Sequence, residues 1–494
     1  MMRGRDPGPE PGFRIVGVRP TFGAMLDPSW ISLLPALLAI VLAIWTRQVY
    51  LSLAGGVWLG WAMIEGWNPA TGAARAIEET IAVLGSPDNT RVILFALFIG
   101  ALIATIEVSG GVKGFVGWLE RREWVTGPRG AQLLAYVIGL VIFIESNITI
   151  LVSGSVARPL ADRHRTSREK LAYIIDTTSA AICILIPLNA WGAYVLGILT
   201  ELGVADPMGA FLAAIPLNFY ALAAVTLAGI TIATGLDLGP MKAAERRTRE
   251  EGRLLWDDAS PMLDPEVLRP ETEGGPGSPL YMVVPIAAMV LMMPVGLYIT
   301  GDGDLRAGSG STSVLWAVLT GLVVAWIMIL GTRRSTADEL TRVGLRGAGG
   351  LINMATVLWL SLALADVTDV LGAGQYVAQV TAGALPPAAF LPLVFLVAAF
   401  VAFATGTSWG TFAIMLPIAV PAAMTLGWPV APFVAASLAG GIFGDHSSPI
   451  SDTTIIASMA AATDHIDHVR TQLPYALIGG AVAVVGYAVV GMML

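Results

Sequence analysis

The chain has 494 residues, 55% of them hydrophobic and 13% charged, with a net charge of −8. A soluble protein carries nearer a quarter charged residues, so composition excludes an ordinary water-soluble globule and predicts a polytopic membrane protein in a lipid bilayer. No basic stripe with interleaved aromatics appears, so nothing points to nucleic acid, and the single cysteine, Cys183, excludes an intrachain disulfide and a Cys-based zinc or iron–sulfur site.

Residues 1–28 form a tail with Arg3, Arg5, Arg14 and Arg19 but no apolar core, which is not the pattern of a signal peptide. Apolar runs then predict spans near 29–46, 49–65 and 91–109, irregular stretches near 131–157 and 171–200, and a span near 209–235, together a first half of 29–235. The polar segment 236–279, rich in Arg, Glu, Asp, Gly and Pro, reads as a cytoplasmic linker or partly ordered loop. The second half, 280–494, follows the same order: spans near 280–300, 312–331 and 350–371, irregular stretches near 392–419 and 432–462, and a span near 474–493.

The halves align at a single offset of 262, which pairs Glu107 with Asp369, Ser146 with Ser408, Thr149 with Thr411 and Pro187 with Pro449 without a gap. Matches at acid, hydroxyl and proline positions point to an internal duplication. Arg121, Arg122 and Arg129 precede 131–157, and Arg158, Arg163, Arg165 and Arg168 follow it, so both flanks read as cytoplasmic. A segment with both ends on one side is expected to be a re-entrant hairpin, its tip at Glu145-Ser146-Asn147. Each arm of about 13 residues rises roughly 20 Å, enough to reach the midplane. The equivalent flanks of the second half, 372–391 and 420–431, carry no charge, which suits the outer face. The expected fold is therefore all-α, with two inverted repeats, about ten transmembrane helices, hairpins at 131–157 and 392–419, and helices broken at the midplane. This places the Arg-bearing N-terminus outside, against the charge rule that orients the other loops.

Chemistry concentrates in Gly444–Thr454, polar residues inside the otherwise apolar run 432–462. Lipid offers backbone groups no partners, so a spanning helix should be unbroken, yet Gly444 and Pro449 argue for a break. The other reading is a short loop between separate helices, but the flanking pieces of roughly 12 residues are too short to span alone. Inverted repeats with interrupted helices point to a secondary transporter, in which freed carbonyls and hydroxyls suit a hard cation such as Na+. Four interruptions converge and predict two clusters: Glu145, Ser146, Asn147, Thr149 and Asn189 in one, and Thr405, Thr407, Ser408, Asp445, Ser447, Ser448, Ser451 and Asp452 in the other. Two carboxylates close together in low dielectric do not both ionise freely, so a proton and Na+ compete for Asp445 and Asp452, the minimal basis of antiport. His446 either relays protons or serves as a structural hydrogen-bonding group. Asp176 is a membrane-depth acid, either a proton carrier or a pairing partner. Its Asp176-Thr177-Thr178 echoes Asp452-Thr453-Thr454 in letters but not in repeat position, which reads as chance. Asp452 also reads as an N-cap. Trp191 and Trp409 form either an aromatic box for an organic cation or ordinary packing. His465 and His468 read as a solvated helix end rather than a metal pair. Nothing resembles an enzyme's nucleophile–base pair, and no cofactor is implied beyond Na+ as cargo.

The stretch Phe443–Ile455, together with Ala404–Thr411 and Ile186–Gly192, resembles the NhaC-type Na+/H+ antiporters of the ion-transporter superfamily. The resemblance implies cation antiport across the cytoplasmic membrane and carries ion-binding roles onto Asp445, Ser448 and Asp452. It also implies a homodimer in which hairpins and broken helices form a moving transport domain. Some relatives are similar to exchangers of organic acids such as malate and lactate, so a small organic solute is the alternative cargo.

Overall fold

Long apolar runs leave the backbone no partner but itself, and the described residues are accordingly 82% helical, with no strand among them. The computed structural model describes residues 29–46, 48–120, 127–143, 146–187, 189–261, 277–303 and 308–494. The N-terminal tail 1–28, whose sidedness conflicted with the charge rule, lies outside them. Among the described residues seven helices are long and apolar enough to cross a membrane, or eight if the bent pair Ala337–Gly350 and Ala355–Val370 is one span. Trp30–Ala43, Val49–Ile64 and Pro207–Leu217 are shorter apolar helices. The protein is an all-α, multi-pass membrane protein.

Eleven helices position the site. In the first half, α1 (Pro128–Val141) and α2 (Ser146–Arg163) fold back on each other. Ser153 Oγ donates to Ala135 O at 2.9 Å, and Gln132 Nε2 to Thr166 Oγ1 at 3.3 Å near the base, so the two run antiparallel. Next, α3 (Arg168–Thr177) stops short, and the chain passes through the single turn Ala180–Cys183 before α4 (Ala190–Glu201). Then come α5 (Phe219–Thr234) and α6 (Gly239–Arg246). In the second half, α7 (Pro387–Thr405) and α8 (Ser408–Thr425) are joined at Gly406, whose φ of +68° is the left-handed turn that closes α7. They are followed by α9 (Val430–Ser447), α10 (Asp452–Ala461) and α11 (His465–Met493). Helix starts keep the sequence offset: α2 and α8 begin at Ser146 and Ser408, α4 and α10 at Ala190 and Asp452, each pair 262 residues apart.

Close backbone approach fixes α9 in place. Gly440 lies against Phe395 and Ala398, and Gly444 against Ala399 and Ala402, so α9 runs parallel to α7; Gly441 lies against Phe412 of the antiparallel α8. A Cβ on Gly444 would overlap the Ala399 carbonyl oxygen, a backbone atom that cannot move aside alone. Gly444→Val is therefore expected to cut the yield of monodisperse protein at least severalfold, read by size-exclusion chromatography after detergent extraction, through overpacking that costs about 1–3 kcal/mol or more.

Two of the three apolar clusters among the described residues bear on the site. The larger packs α4, α7, α8 and α9, while a separate one gathers residues of α1, α2, α3, α5 and α10 with Met241 and Tyr475. The second cluster lies at the end of the bundle that carries Arg163, Arg165, Arg168 and Arg247. Here the structure corrects the reading of 236–279 as linker or loop. Residues 239–251 are helical and packed onto the bundle, and 262–276 lie outside the described residues. Charges of opposite sign make this possible. Arg247 meets Glu169 through two bonds of 3.0 Å with both side chains buried, Lys170 Nζ lies 2.6 Å from Asp237, and Ser167 N donates to Glu245 Oε1 at 2.7 Å.

Candidate functional site

The two breaks and the two hairpin turns meet inside the bundle. At the first, Asn189 caps α4: its Oδ1 accepts from Gly192 N at 3.0 Å, while its Nδ2 donates to Phe143 O at 3.0 Å and Cys183 O at 2.7 Å. A capping amide thus ties the broken helix to the turn of its own hairpin. Thr149 Oγ1 donates back to Ile142 O across that turn, and Ser146 is buried beside it. Glu145 lies outside the described residues, as do the side chains of Asn147 and Asp452.

The second break is richer in polar groups. Ser408, the first residue of α8, donates Oγ to Asp445 Oδ2 at 2.6 Å, with both residues buried. Ser448 Oγ donates to Phe403 O at 2.7 Å, which ties the break to the end of α7. Ser447 Oγ is buried and has no hydrogen-bond partner among the described residues. Thr407 is half-buried, and its carbonyl accepts from Thr411 Oγ1 at 2.9 Å; Thr405 Oγ1 donates to Val401 O at 2.8 Å within its own helix. Helix α9 ends here, so its carbonyl-rich terminus adds negative partial charge to the Asp445 carboxylate. A buried carboxylate, hydroxyls and a helix C-terminus make a setting for a hard monovalent cation. The N-cap of α10 is Ser451, which accepts from Thr454 N at 3.3 Å, one residue before the Asp452 expected from sequence; Ser451 takes the cap because the helix starts at Asp452 itself.

Sequence reasoning missed how the halves are joined. Asp176 Oδ2 accepts from Thr454 Oγ1 at 3.1 Å and from Gln472 Nε2 at 2.8 Å, so the two Asp-Thr-Thr segments, dismissed as an accidental echo, are in contact. His446 is buried, with Nε2 3.1 Å from Thr177 Oγ1 and Nδ1 2.6 Å from Tyr220 OH. The expectation that His465 and His468 form a solvated helix end is wrong for His468, which is fully buried; Ser458 Oγ lies 2.8 Å from its Nδ1, and Gln472 Oε1 lies 2.9 Å from its Nε2. The first turns of α11 pack beside α3 and α10, and the polar partners there pay for burying the ring. Among these residues only Gln472, an amide at the edge of an apolar span, carried a sequence signal; Tyr220 and Ser458 carried none. Trp191 and Trp409 lie with ring centroids 4.4 Å apart, and Tyr194 stands edge-on to Trp409 at 4.9 Å. The indoles thus pack on each other, though Trp191 Nε1 has no partner among the described residues.

Comparison with known proteins adds four findings. Residues 197–492 match the model of the Na+/H+ antiporter family. A Haemophilus influenzae protein of uncharacterised function is 33% identical over 93% of this chain and 90% of its own length. The arginine/ornithine antiporter ArcD of Halobacterium salinarum is 30% identical over 43% of this chain and 41% of its own. Among solved structures, MtrF of Neisseria gonorrhoeae, titled as illuminating a class of antimetabolite efflux pumps, has the same fold, with a TM-score of 0.57 at 16% identity over 85% of this chain and 84% of that one.

Proposed function

The chain belongs to the Na+/H+ antiporter family, and from that membership and its buried acid site we propose that it exchanges Na+ for H+ across the cytoplasmic membrane. The observation that carries this reading is the buried 2.6 Å contact of Ser408 with Asp445, where a hairpin turn meets a broken helix. Asp445, Ser408, Ser447 and Ser448, with Thr407 and Asp452, offer the negative charge and neutral oxygens that a dehydrated Na+ needs. Loading alternates: Na+ leaves when a proton neutralises the carboxylate, and the reverse. The first hairpin, with Glu145, Ser146, Asn147 and Asn189, is the matching half of the site. Inverted repeats at 29–235 and 280–494, re-entrant hairpins, elevator-like movement of the hairpins and broken helices, and a homodimer complete the reading.

The test is purified protein in liposomes with a pH dye inside. An imposed Na+ gradient is expected to move protons, and Ser408→Ala to raise the Na+ concentration for half-maximal flux about tenfold, since a hydrogen bond to a charged group contributes about 1.5 kcal/mol. A wild-type protein that moves no protons on a Na+ gradient sinks the proposal. A second reading, exchange of a small organic solute, is favoured by the likeness to ArcD; it predicts that preloaded arginine, ornithine or an organic acid, rather than Na+, drives counterflow in the same vesicles.

A further inference from the structure

Three groups at the arginine-rich end form an unassigned chain leading inward. Its outer member is His465, half-buried at the start of α11, close to where Arg168 Nη1 donates to Ala462 O at 3.0 Å and Ser260 N to Asp464 Oδ2 at 3.0 Å. Its Nε2 lies 2.7 Å from Pro449 O, and its Nδ1 lies 3.0 Å from Ser458 Oγ. Ser458 Oγ also contacts His468 Nδ1 at 2.8 Å and Thr454 O at 2.8 Å. His468 Nε2 lies 2.9 Å from Gln472 Oε1 and 3.9 Å from Asp176 Oδ2.

Hydrogen counting shows what this chain lacks. A carbonyl oxygen only accepts, so His465 Nε2 must carry hydrogen toward Pro449 O. The Gln472 amide donates to Asp176 Oδ2 and His446 O, both acceptors, so its oxygen faces His468 and His468 Nε2 also carries hydrogen. With both rings neutral, each Nδ1 is bare. The single Ser458 hydroxyl hydrogen then faces three acceptors: two ring nitrogens and Thr454 O. The node is short of protons, and an added proton supplies what is missing.

We propose that His465 and Ser458 form a proton path from the arginine-rich face to the buried His468, 3.9 Å from the Asp176 carboxylate, feeding the exchange proposed above, on which this inference rests. His465 takes a proton from water at Nδ1 while its ring is turned away from Ser458, and turning back brings the new Nδ1–H onto Ser458 Oγ. Its Nδ1–H bond then breaks as a Ser458 O–H bond forms, and the former Ser458 hydroxyl proton passes to His468 Nδ1. The net transfer is one proton from His465 to His468, with Ser458 regenerated. The imidazolium of His468 then faces the buried Asp176 carboxylate, whose Oδ1 has no hydrogen-bond partner among the described residues. Nearby stand His446 on α9, 3.7 Å from Asp176 Oδ2, and Tyr220 on α5, bonded to His446.

The experiment measures two fluxes in the same liposomes: Na+-driven proton movement, and exchange of labelled for unlabelled Na+ at equal concentrations, which moves no net proton. Ser458→Ala and His465→Gln are expected to lower the proton flux about tenfold or more while labelled Na+ exchange stays within about twofold, and Ser458→Thr is expected to restore the proton flux. Unchanged proton flux in both Ser458→Ala and His465→Gln overturns the path. So does equal loss of both fluxes, since that marks a structural role; if Ser458→Ala fails to fold, His465→Gln alone decides. Absence of Na+-driven proton flux in wild type is a separate outcome: it removes the Na+/H+ reading, and the path falls with it.

Discussion

Asp445→Asn is expected to lower Na+-driven proton flux by about two orders of magnitude or more while the protein remains folded. The carboxamide keeps the shape of the carboxylate, and its oxygen still accepts from Ser408 Oγ, now 2.6 Å from Asp445 Oδ2. What is lost is the charge. In a buried setting, removing the charged partner of an ion costs about 3–5 kcal/mol, against 1.4 kcal/mol for each factor of ten. A neutral amide also titrates no proton, so both proposed cargoes would lose the site proposed for them. Asp445→Glu, which keeps the charge but lengthens the arm, is expected to retain measurable flux with altered Na+ affinity. Wild-type flux in Asp445→Asn, measured in liposomes at matched protein content, would move the site elsewhere.

Glu169→Ala is expected to destabilise the fold by about 3–5 kcal/mol, because it strands a buried guanidinium. Arg247 is 2% exposed and Glu169 fully buried; the pair closes through two parallel bonds of 3.0 Å. The guanidinium also donates to Arg253 O at 3.1 Å and Leu254 O at 2.8 Å, and stacks 4.3 Å from the Trp256 ring. Those contacts do not neutralise its charge. Replacing both partners, Glu169→Met with Arg247→Met, is expected to recover most of the loss, since the desolvation penalty disappears together with the attraction. Thermal unfolding in detergent, followed by tryptophan fluorescence, reads both variants. An unchanged midpoint for Glu169→Ala would mean that the 247–251 turn after α6 does not clamp α3.

The residues differ in how much of this they announced. Spans were legible because a helix in lipid must be apolar for its whole length, and the break because Pro449 interrupts such a run; Gly444 does not mark it, since it lies within α9 and serves close packing on α7. Asp445 stood out because an ionisable group at membrane depth is a functional-site candidate by default. Depth was another matter. His468 follows Asp464 and Asp467, so local composition placed it in water, whereas partners supplied by Ser458 and Gln472 allow its burial. The 236–251 segment looked unstructured because its charges were counted alone; Glu169 and Lys170, distant in sequence, neutralise Arg247 and Asp237. The contact of Asp176 with Thr454 spans 278 residues and follows no offset between the halves, so periodicity carried no trace of it.

That contact limits how the molecule can change shape. Asp176 belongs to α3, whereas Thr454 and Gln472 belong to α10 and α11. Sliding α3 past the other two would strip a buried carboxylate of both donors at once, at a cost of about 1.5–3 kcal/mol for each bond. In the proposed alternating-access cycle these three segments are therefore expected to move together.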